Sequence, residues 1–269
     1  PQYVGALEER GHQPSYMGDE DLTTTYKSSL ANSSMTYYVS RPDGLTSFRI
    51  IQNGETTGAS VKATFYSDIT RGTTETVEVG KLNQAINEFI IPTGKKLLSI
   101  EISWQDKIPE IAEILTRQGT NISVDKTALN NILKETAKSG WTTDSMTAFN
   151  NAKKIAEELK NSDYASQDII DSAVAVLQNA IDTALQKADL SELESLVNEA
   201  TSIQQDDYTV NSFMEYQNSI NDAKSAFNDK DNISVEQAHQ FVQDIKNAKN
   251  SLEYSSIERE KAELAILDD

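Results

Sequence analysis

Residues 141–152 read WTTDSMTAFNNA and residues 208–219 read YTVNSFMEYQNS. Each stretch opens on an aromatic and a Thr, places a Ser four residues after the aromatic, and places a second aromatic eight after it. Around the first, Met146, Phe149, Ala152, Ala156 and Leu159 follow the 3.6-residue period of a helix with one buried face. Leu129, Ile132, Leu133 and Thr136 do so before it, and Ile170, Ala173, Val174, Leu177, Ile181 and Ala184 after it. The same three stripes then return. They are Leu193, Leu196, Val197 and Ala200; Phe213, Tyr216, Ile220, Ala223 and Phe227; and Ala238, Phe241, Val242, Ile245, Ala248 and Leu252. The second half of the chain therefore reads as one three-helix unit written twice.

Local chemistry explains part of the repetition. Thr142 and Thr209 stand where a helix begins, where a hydroxyl can accept from a free backbone N–H, and Trp141 and Tyr208 are placed to fold back on the first turn. Asp125 and Asp189, with Ser191 as the alternative in the second copy, cap the first helix of each unit. Ser166 and Ser234 cap the third helices, and Gln237 completes a capping box with Ser234. Residues 184–200, ALQKADLSELESLVNEA, hold no Gly or Pro. That predicts a helix running almost directly from one unit into the next, broken briefly at Asp189 or Ser191, so that the two units form a semi-rigid rod.

Upstream the pattern changes. All five Pro residues fall at or before Pro109, and of 11 Gly residues only Gly140 lies beyond Gly119. TSFRIIQN places Phe48 and Ile50 on one face, SVKATFYS alternates Val61, Ala63 and Phe65, TVEVGKL alternates Val77 and Val79, and LLSIEISW alternates Leu98, Ile100, Ile102 and Trp104. Period-2 spacing between Gly, Asn, Asp and Pro turns predicts half-buried antiparallel strands, and several at short intervals predict a β-sandwich. The expected organisation is multidomain: a sandwich over residues 1–118, three-helix bundles over 122–187 and 188–255, and a helical or disordered tail over 256–269.

The chain has 269 residues, with 24 Lys and Arg against 42 Asp and Glu, a net charge of −18. Residues 1–120 hold 11 basic and 15 acidic side chains, and residues 121–269 hold 13 and 27. This balance argues against nucleic acid or anionic membrane as partners, since both need clustered positive charge. No apolar run approaches the ~20 residues that span a bilayer. There is no Cys, so no disulfide and no thiolate site. The start at Pro1 reads as a cut within a longer polypeptide.

Two resemblances follow from these residues. DKTALNNILKETAKSGWTTDSMTAFNNAKKIAEELKNSDYASQDIIDSAVAVLQNAIDTAL resembles a FIVAR module, a three-helix bundle of secreted Gram-positive proteins, and Asp189 to Leu252 resembles a second copy. GDEDLTTTYK resembles the opening of a discoidin-like sandwich, the fold of the family 32 carbohydrate-binding modules, with Glu20 where that family has Gly and Tyr26 where it has Trp. The stretches TYYVSRPDGLTSFRIIQNG and LLSIEISW give the sandwich its likeness to the region behind the catalytic domain of hyaluronidase and O-GlcNAcase-like enzymes, glycoside hydrolase family 84.

The resemblances imply an extracellular, secreted or wall-attached accessory region of a Gram-positive glycosidase, monomeric and attached to a catalytic domain of the same chain. They imply a structural calcium ion held by Asp19, Asp21, Thr24 and Glu113, since calcium takes carboxylate and carbonyl oxygens in loose geometry. They imply host glycans with galactose or N-acetylhexosamine as partners. A sugar site needs a flat aromatic and fixed polar groups, and His12, Tyr26, Tyr38, Arg41 and Asn53 are of suitable type near loops or strand ends. Trp104 extends the Ile100, Ile102 alternation and is expected in the core. No G-x-S-x-G, HExxH, P-loop or Rossmann pattern occurs, and the two histidines, His12 and His239, lie apart. The expectation is a noncatalytic segment. The alternatives are an architectural buttress that binds no glycan and a piece of a surface adhesin.

Overall fold

The computed structural model of the chain describes residues 2–67, 72–116, 123–257 and 259. The expected boundary at 118–122 and most of the expected tail lie outside the described residues. The chain falls into two compact units, Pro1–Ala137 with Met146–Thr183, and Lys138–Ser145 with Ala184–Asp269.

Among the described residues the first unit opens with the strands β1 (Gln2–Gly5), β2 (Tyr26–Lys27), β3 (Ser33–Tyr38), β4 (Ser47–Asn53), β5 (Ser60–Tyr66), β6 (Thr74–Lys81), β7 (Ile86–Ile90), β8 (Lys96–Trp104) and β9 (Glu110–Leu115). They form a five-stranded sheet in the order β1-β3-β8-β5-β6 and a four-stranded sheet in the order β2-β9-β4-β7. Every pairing is antiparallel. The expected sandwich is what the chain builds. Phe48, Ile50, Val61, Ala63, Phe65, Ile100 and Ile102 meet in one core, and Val77 and Val79 pack against its edge. Trp104 is buried as expected, its indole N–H donating to the Leu30 carbonyl at 2.9 Å.

One strand departs from its simple alternation. The β5–β8 register shifts between Thr64 and Phe65, so that Phe65 faces Leu97 while Thr64 faces Ser99. The bulge adds a residue on β8, and Leu97 rather than Leu98 enters the core.

The unit continues with α1 (Thr127–Ile132), most of α2 (Thr143–Lys160) and α3 (Gln167–Asp182). Helix α1 stops at Ile132, because Lys134 and Glu135 N–H donate to Asn131 and Ile132 in tighter turns. Thr136, expected on its buried stripe, is exposed. Asp125, one residue before the cap position at Lys126, accepts from Thr127 N–H at 2.8 Å. Lys126 ties the start of α1 to the end of α2, its ammonium donating to the Leu159, Lys160 and Ser162 carbonyls. Carbonyls at the end of a helix lack intrahelical donors, so a cation there complements the negative helix end. Ser166 caps α3 by accepting from Ile169 N–H.

The second unit holds α4 (Ser191–Glu199), α5 (Val210–Ala226) and α6 (Val235–Asn250). Leu193, Val197, Tyr216, Ile220, Ala223, Val242 and Ile245 form its core, with Phe227 and Phe241 packed against it. Three ion pairs, Lys246–Glu192, Lys249–Glu199 and Lys230–Glu194, reach α4 from α6 and the turn before it. Each is exposed and contributes at most about 1 kcal/mol. Asp189, one residue before the cap position at Leu190, accepts from Ser191 N–H, and Ser234 and Gln237 form the expected capping box on α6.

The repeated phrase has a use that its helix-start chemistry does not reveal. Trp141 bridges Gln186, and Tyr208 bridges Tyr254. In each copy the chain entering the second helix pairs with the chain leaving the third, and the Ser four residues after the aromatic locks the pairing. Ser145 Oγ accepts from Thr142 Oγ1 at 2.9 Å and from Leu185 N–H at 3.0 Å. Ser212 Oγ pairs with Thr209 Oγ1 at 2.9 Å and accepts from Glu253 N–H at 3.0 Å. Trp141 and Tyr208, expected as staples, are thus members of a two-stranded clip. Thr142 does cap its helix, accepting from Ser145 N–H, whereas the Thr209 hydroxyl is spent on Ser212 and makes no cap bond. Gly140, the single glycine of the helical half, has φ +87 where the chain turns into the clip, a left-handed conformation that a side chain resists.

The clip also ends the helix expected to run through residues 184–200. Helix α3 stops at Asp182, and residues 183–190 are not helical. Thr142 N–H donates to Leu185 O, and Lys187 N–H donates to Gly140 O, so sheet-like bonds replace the helical ones. Replacing Ser212 by Ala leaves the part-buried Glu253 N–H without its acceptor and is expected to cost about 1–3 kcal/mol. Ser145→Ala frees the exposed Leu185 N–H and is expected to cost about 1 kcal/mol or less, both read as a lower denaturant midpoint with an unchanged slope.

Candidate functional site

A 3₁₀ turn, Pro14–Gly18, packs against β9 and leads into the acidic turn Asp19–Thr24. Thr24 Oγ1 donates to Asp19 Oδ2 at 2.8 Å, Asp21 N–H donates to Asp19 Oδ1, and Thr23 donates to Asp21 Oδ1 through both N–H and hydroxyl. Across the sheet, Glu20 N–H donates to Glu113 Oε2 at 2.7 Å. Glu113 is 2% exposed. Burial, then Asp19, then Asp21 push its carboxyl up to about 8.

The four expected calcium donors are thus neighbours, and Asp19, Asp21 and Glu113 each accept a protein hydrogen bond. Among the described residues no group of three or more His, Asp or Glu side chains is placed to hold a metal ion. In this arrangement burial and the neighbouring Asp19 favour the protonated form of Glu113. Glu20, standing where the resembled family has Gly, has φ +63. A side chain there costs about 1 kcal/mol, so Glu20→Gly is expected to raise the thermal midpoint by a few degrees.

The sugar candidates separate. β9 begins at Glu110, which pairs with Lys27 of β2 on one side and Asn53 of β4 on the other. Lys27, Asn53, Glu110, Glu55, Thr57, Lys107 and Ile108 line a cleft of about 230 Å³ at this end of the sandwich. Asn53 is held by donation from Nδ2 to the Leu22 carbonyl at 3.1 Å. Thr25 Oγ1 donates to Glu110 Oε1 at 3.0 Å and lies 2.8 Å from His12 Nδ1. With the Thr25 proton given to Glu110, Thr25 Oγ1 is left as the acceptor toward His12 Nδ1.

The fold therefore brings His12 and Asn53 to one end through Glu110. Tyr26 is fully buried in the core, its hydroxyl on the Ala6 carbonyl at 3.3 Å, because pairing with Ile111 of β9 turns it inward. That removes it from the candidate ligands. Tyr38 closes β3 opposite Ser99, at the other end of the strand from Ser33 and Trp104, and Arg41 is exposed in the loop that follows. Sequence reading missed Glu110, whose signal was its place immediately after Pro109, where a strand begins beside a loop.

A broader hollow of about 1,010 Å³ lies over the outer face of the five-stranded sheet, where Ser34, Ser60, Lys62, Lys81, Glu101 and Ser103 point away from the core. It shares Thr57 and Lys107 with the cleft. Both are polar and open, suited to a ligand recognised by many hydroxyls rather than by one apolar group.

No family model and no curated protein matches the chain. Among solved structures, a Clostridium perfringens module, CpGH89CBM32-4, in complex with GlcNAc-α-1,4-galactose is 20% identical over 42% of this chain and 86% of its own, with a TM-score of 0.32. The family 32 carbohydrate-binding module of C. perfringens NanJ in complex with galactose is 17% identical over 42% and 90%, with a TM-score of 0.34. A pectin-binding carbohydrate-binding module is 15% identical over 46% and 94%, with a TM-score of 0.33. None reaches 25% identity or a TM-score of 0.5, and the reading of the site rests on its own residues.

Proposed function

We propose that the sandwich is a weak glycan-binding module. A terminal galactose or N-acetylhexosamine sits in the cleft at Asn53 and Glu110, and the next sugars of the chain lie in the hollow beyond Thr57 and Lys107. The observation that carries this reading is the continuity of the two recesses: a one-sugar cleft opens into a long polar floor through two shared residues. Lys27, Lys107 and Asn53 offer donors to ring hydroxyls, and Glu110 offers an acceptor whose position Thr25 fixes.

The segment itself is noncatalytic. It serves a secreted or wall-attached Gram-positive glycosidase of the hyaluronidase or O-GlcNAcase-like type, acting on N-acetylhexosamine-containing host glycans. The sandwich holds the glycan and the helical units act as spacer. An open site leaves many sugar hydroxyls in water, so a lone module binds in the millimolar range, about −4 kcal/mol. Tethering makes this useful, because the attached catalytic domain gains effective concentration at a glycan surface.

Titration calorimetry of the protein with galactose, N-acetylgalactosamine and N-acetylglucosamine tests the reading. Asn53→Ala and Glu110→Gln are each expected to weaken binding roughly tenfold, about 1.4 kcal/mol, with little change in melting temperature. Tyr38→Ala and Arg41→Ala are expected to leave it unchanged. Binding that survives the first pair and fails with the second overturns the assignment of the cleft. No heat with any sugar leaves the sandwich as a buttress.

A further inference from the structure

The two copies of the three-helix unit differ along one seam, where the first helix packs on the third. In the second copy charge closes that seam. Lys246 and Lys249, one turn apart on α6, reach Glu192 and Glu199 of α4 at 2.6 and 2.5 Å. Ser166 and Ser234 align the third helices 68 residues apart, 234 − 166, and Asp125 and Asp189 align the first helices 64 apart, 189 − 125. In the first copy the two lysines are therefore Gln178 and Ile181, and Glu192 is Ala128. Glu199 keeps its type as Glu135. Its counterpart of Lys249 is gone, and among the described residues no cation pairs with the Glu135 carboxylate.

The exchange leaves the seam open. A groove of about 610 Å³ lies between α1 and α3, lined by the apolar Ala128, Ile132, Val174 and Ile181 and by the polar Asn131, Glu135 and Gln178. Val174 and Ile181 are half-buried, whereas Val242, the counterpart of Val174, is 6% exposed. Helix α1 also stops at Ile132, whose counterpart Leu196 lies inside α4. Ala128 to Glu135 and Val174 to Ile181 each span two helical turns, about 10 Å. That length fits one face of a helix with apolar residues at i, i+3 and i+7.

Charge selects the occupant. Asp182 accepts from Gln178 Nε2 at 2.8 Å, and Asp171, one turn before Val174, accepts from Gln167 Nε2 at 2.8 Å. Lys134 and Lys153 are near, with their ammonium groups on Asn131 Oδ1 and the Glu135 carbonyl. Residues 121–269 hold 27 acidic and 13 basic side chains, so the surrounding field is negative. A second molecule of this chain would bring its own net charge of −18 to that field.

We propose that the groove between α1 and α3 docks a basic amphipathic helix of a partner protein. Its apolar residues cover Ile132, Val174 and Ile181, and a Lys or Arg meets Glu135 as Lys249 meets Glu199 in the second copy. The first helical unit then recruits a partner as well as setting a distance.

The probe is a helical peptide of Leu and Lys, about 18 residues long, with Leu at i, i+3, i+4 and i+7, beside the same peptide with Glu for Lys. Fluorescence anisotropy with the full chain is expected to show the Lys peptide binding at least roughly tenfold more tightly than the Glu peptide. Ala128→Glu, Gln178→Lys and Ile181→Lys together write the ion pairs of the second copy into the first. That triple variant should keep the native melting temperature and bind the Lys peptide at least roughly tenfold more weakly. Glu135→Gln alone should weaken binding about threefold. Amide shifts on binding should centre on residues 128–135 and 174–182. If the triple variant melts lower, Glu135→Gln and the shift map decide. Equal affinity for the two peptides, equal affinity of the native chain and a stable triple variant, no effect of Glu135→Gln, or shifts confined to other helices overturn the proposal. So does self-association of the native chain at micromolar concentration that the triple variant abolishes, since the occupant would then be a second copy.

Discussion

Raising the pH from about 5 to about 8 is expected to lower the stability of the sandwich by roughly 3–4 kcal/mol, and the Glu113→Gln variant is expected not to follow. The Glu113 carboxyl titrates near 8 in the folded protein and near 4.5 when unfolded. Between those values folding takes up one proton. The stabilisation is complete below about pH 4.5, declines as pH rises, and is gone above about pH 8. The cause is geometric: a side chain 2% exposed lies beside Asp19 and Asp21, and deprotonation would put a third negative charge there without water. Gln keeps the shape and the acceptor for Glu20 N–H while removing the charge, so its stability curve should be flat across this window and cross above that of the native chain near pH 8. Urea midpoints at several pH values measure both curves. A calcium site would reverse the pattern. Millimolar calcium would then stabilise the native chain at pH 8, and Glu113→Gln would lose that gain. That result would overturn the proton assignment.

The second large effect is at Tyr26. Tyr26→Ala is expected to cost about 3–5 kcal/mol, because the ring is enclosed by the core where β2 meets β9. Tyr26→Phe should cost less than about 1 kcal/mol, since the hydroxyl reaches the Ala6 carbonyl only at 3.3 Å. A sugar-stacking tyrosine would behave oppositely, with Ala leaving the melting temperature in place and abolishing binding. Thermal melts of the two variants separate these roles.

The residues that sequence reading placed well are those whose environment is local. Period-2 and period-3.6 patterns put Phe48, Ile100, Tyr216 and Ile245 inside because the alternation of a strand or helix is set by the backbone itself. Ser166 and Ser234 cap the helices they precede because cap and helix are three residues apart. Long-range partners were not legible. The Ser shared by WTTDS and YTVNS looks like part of a helix start, while the Leu185 and Glu253 N–H groups it binds lie 40 and 41 residues downstream. Leu97 takes the place expected of Leu98 because β8 bulges where it pairs with β5. The same limit applies at the candidate site. Asn53 and His12 were readable by type, but Glu110 joins them only through pairing with β2 and β4 and through Thr25. Tyr26 was misplaced because a two-residue strand carries no alternation from which to read its face.

The central claim, that the sandwich takes a sugar at the Asn53–Glu110 end, is tested most directly by following backbone amides in a millimolar titration with galactose and N-acetylgalactosamine. The amides of Lys27, Asn53, Gly54, Thr57, Lys107 and Glu110 are expected to shift together with a single millimolar dissociation constant, and those of Tyr38 and Arg41 to stay in place. Shifts confined to Tyr38 and Arg41, or no shift anywhere in residues 2–116, would contradict it.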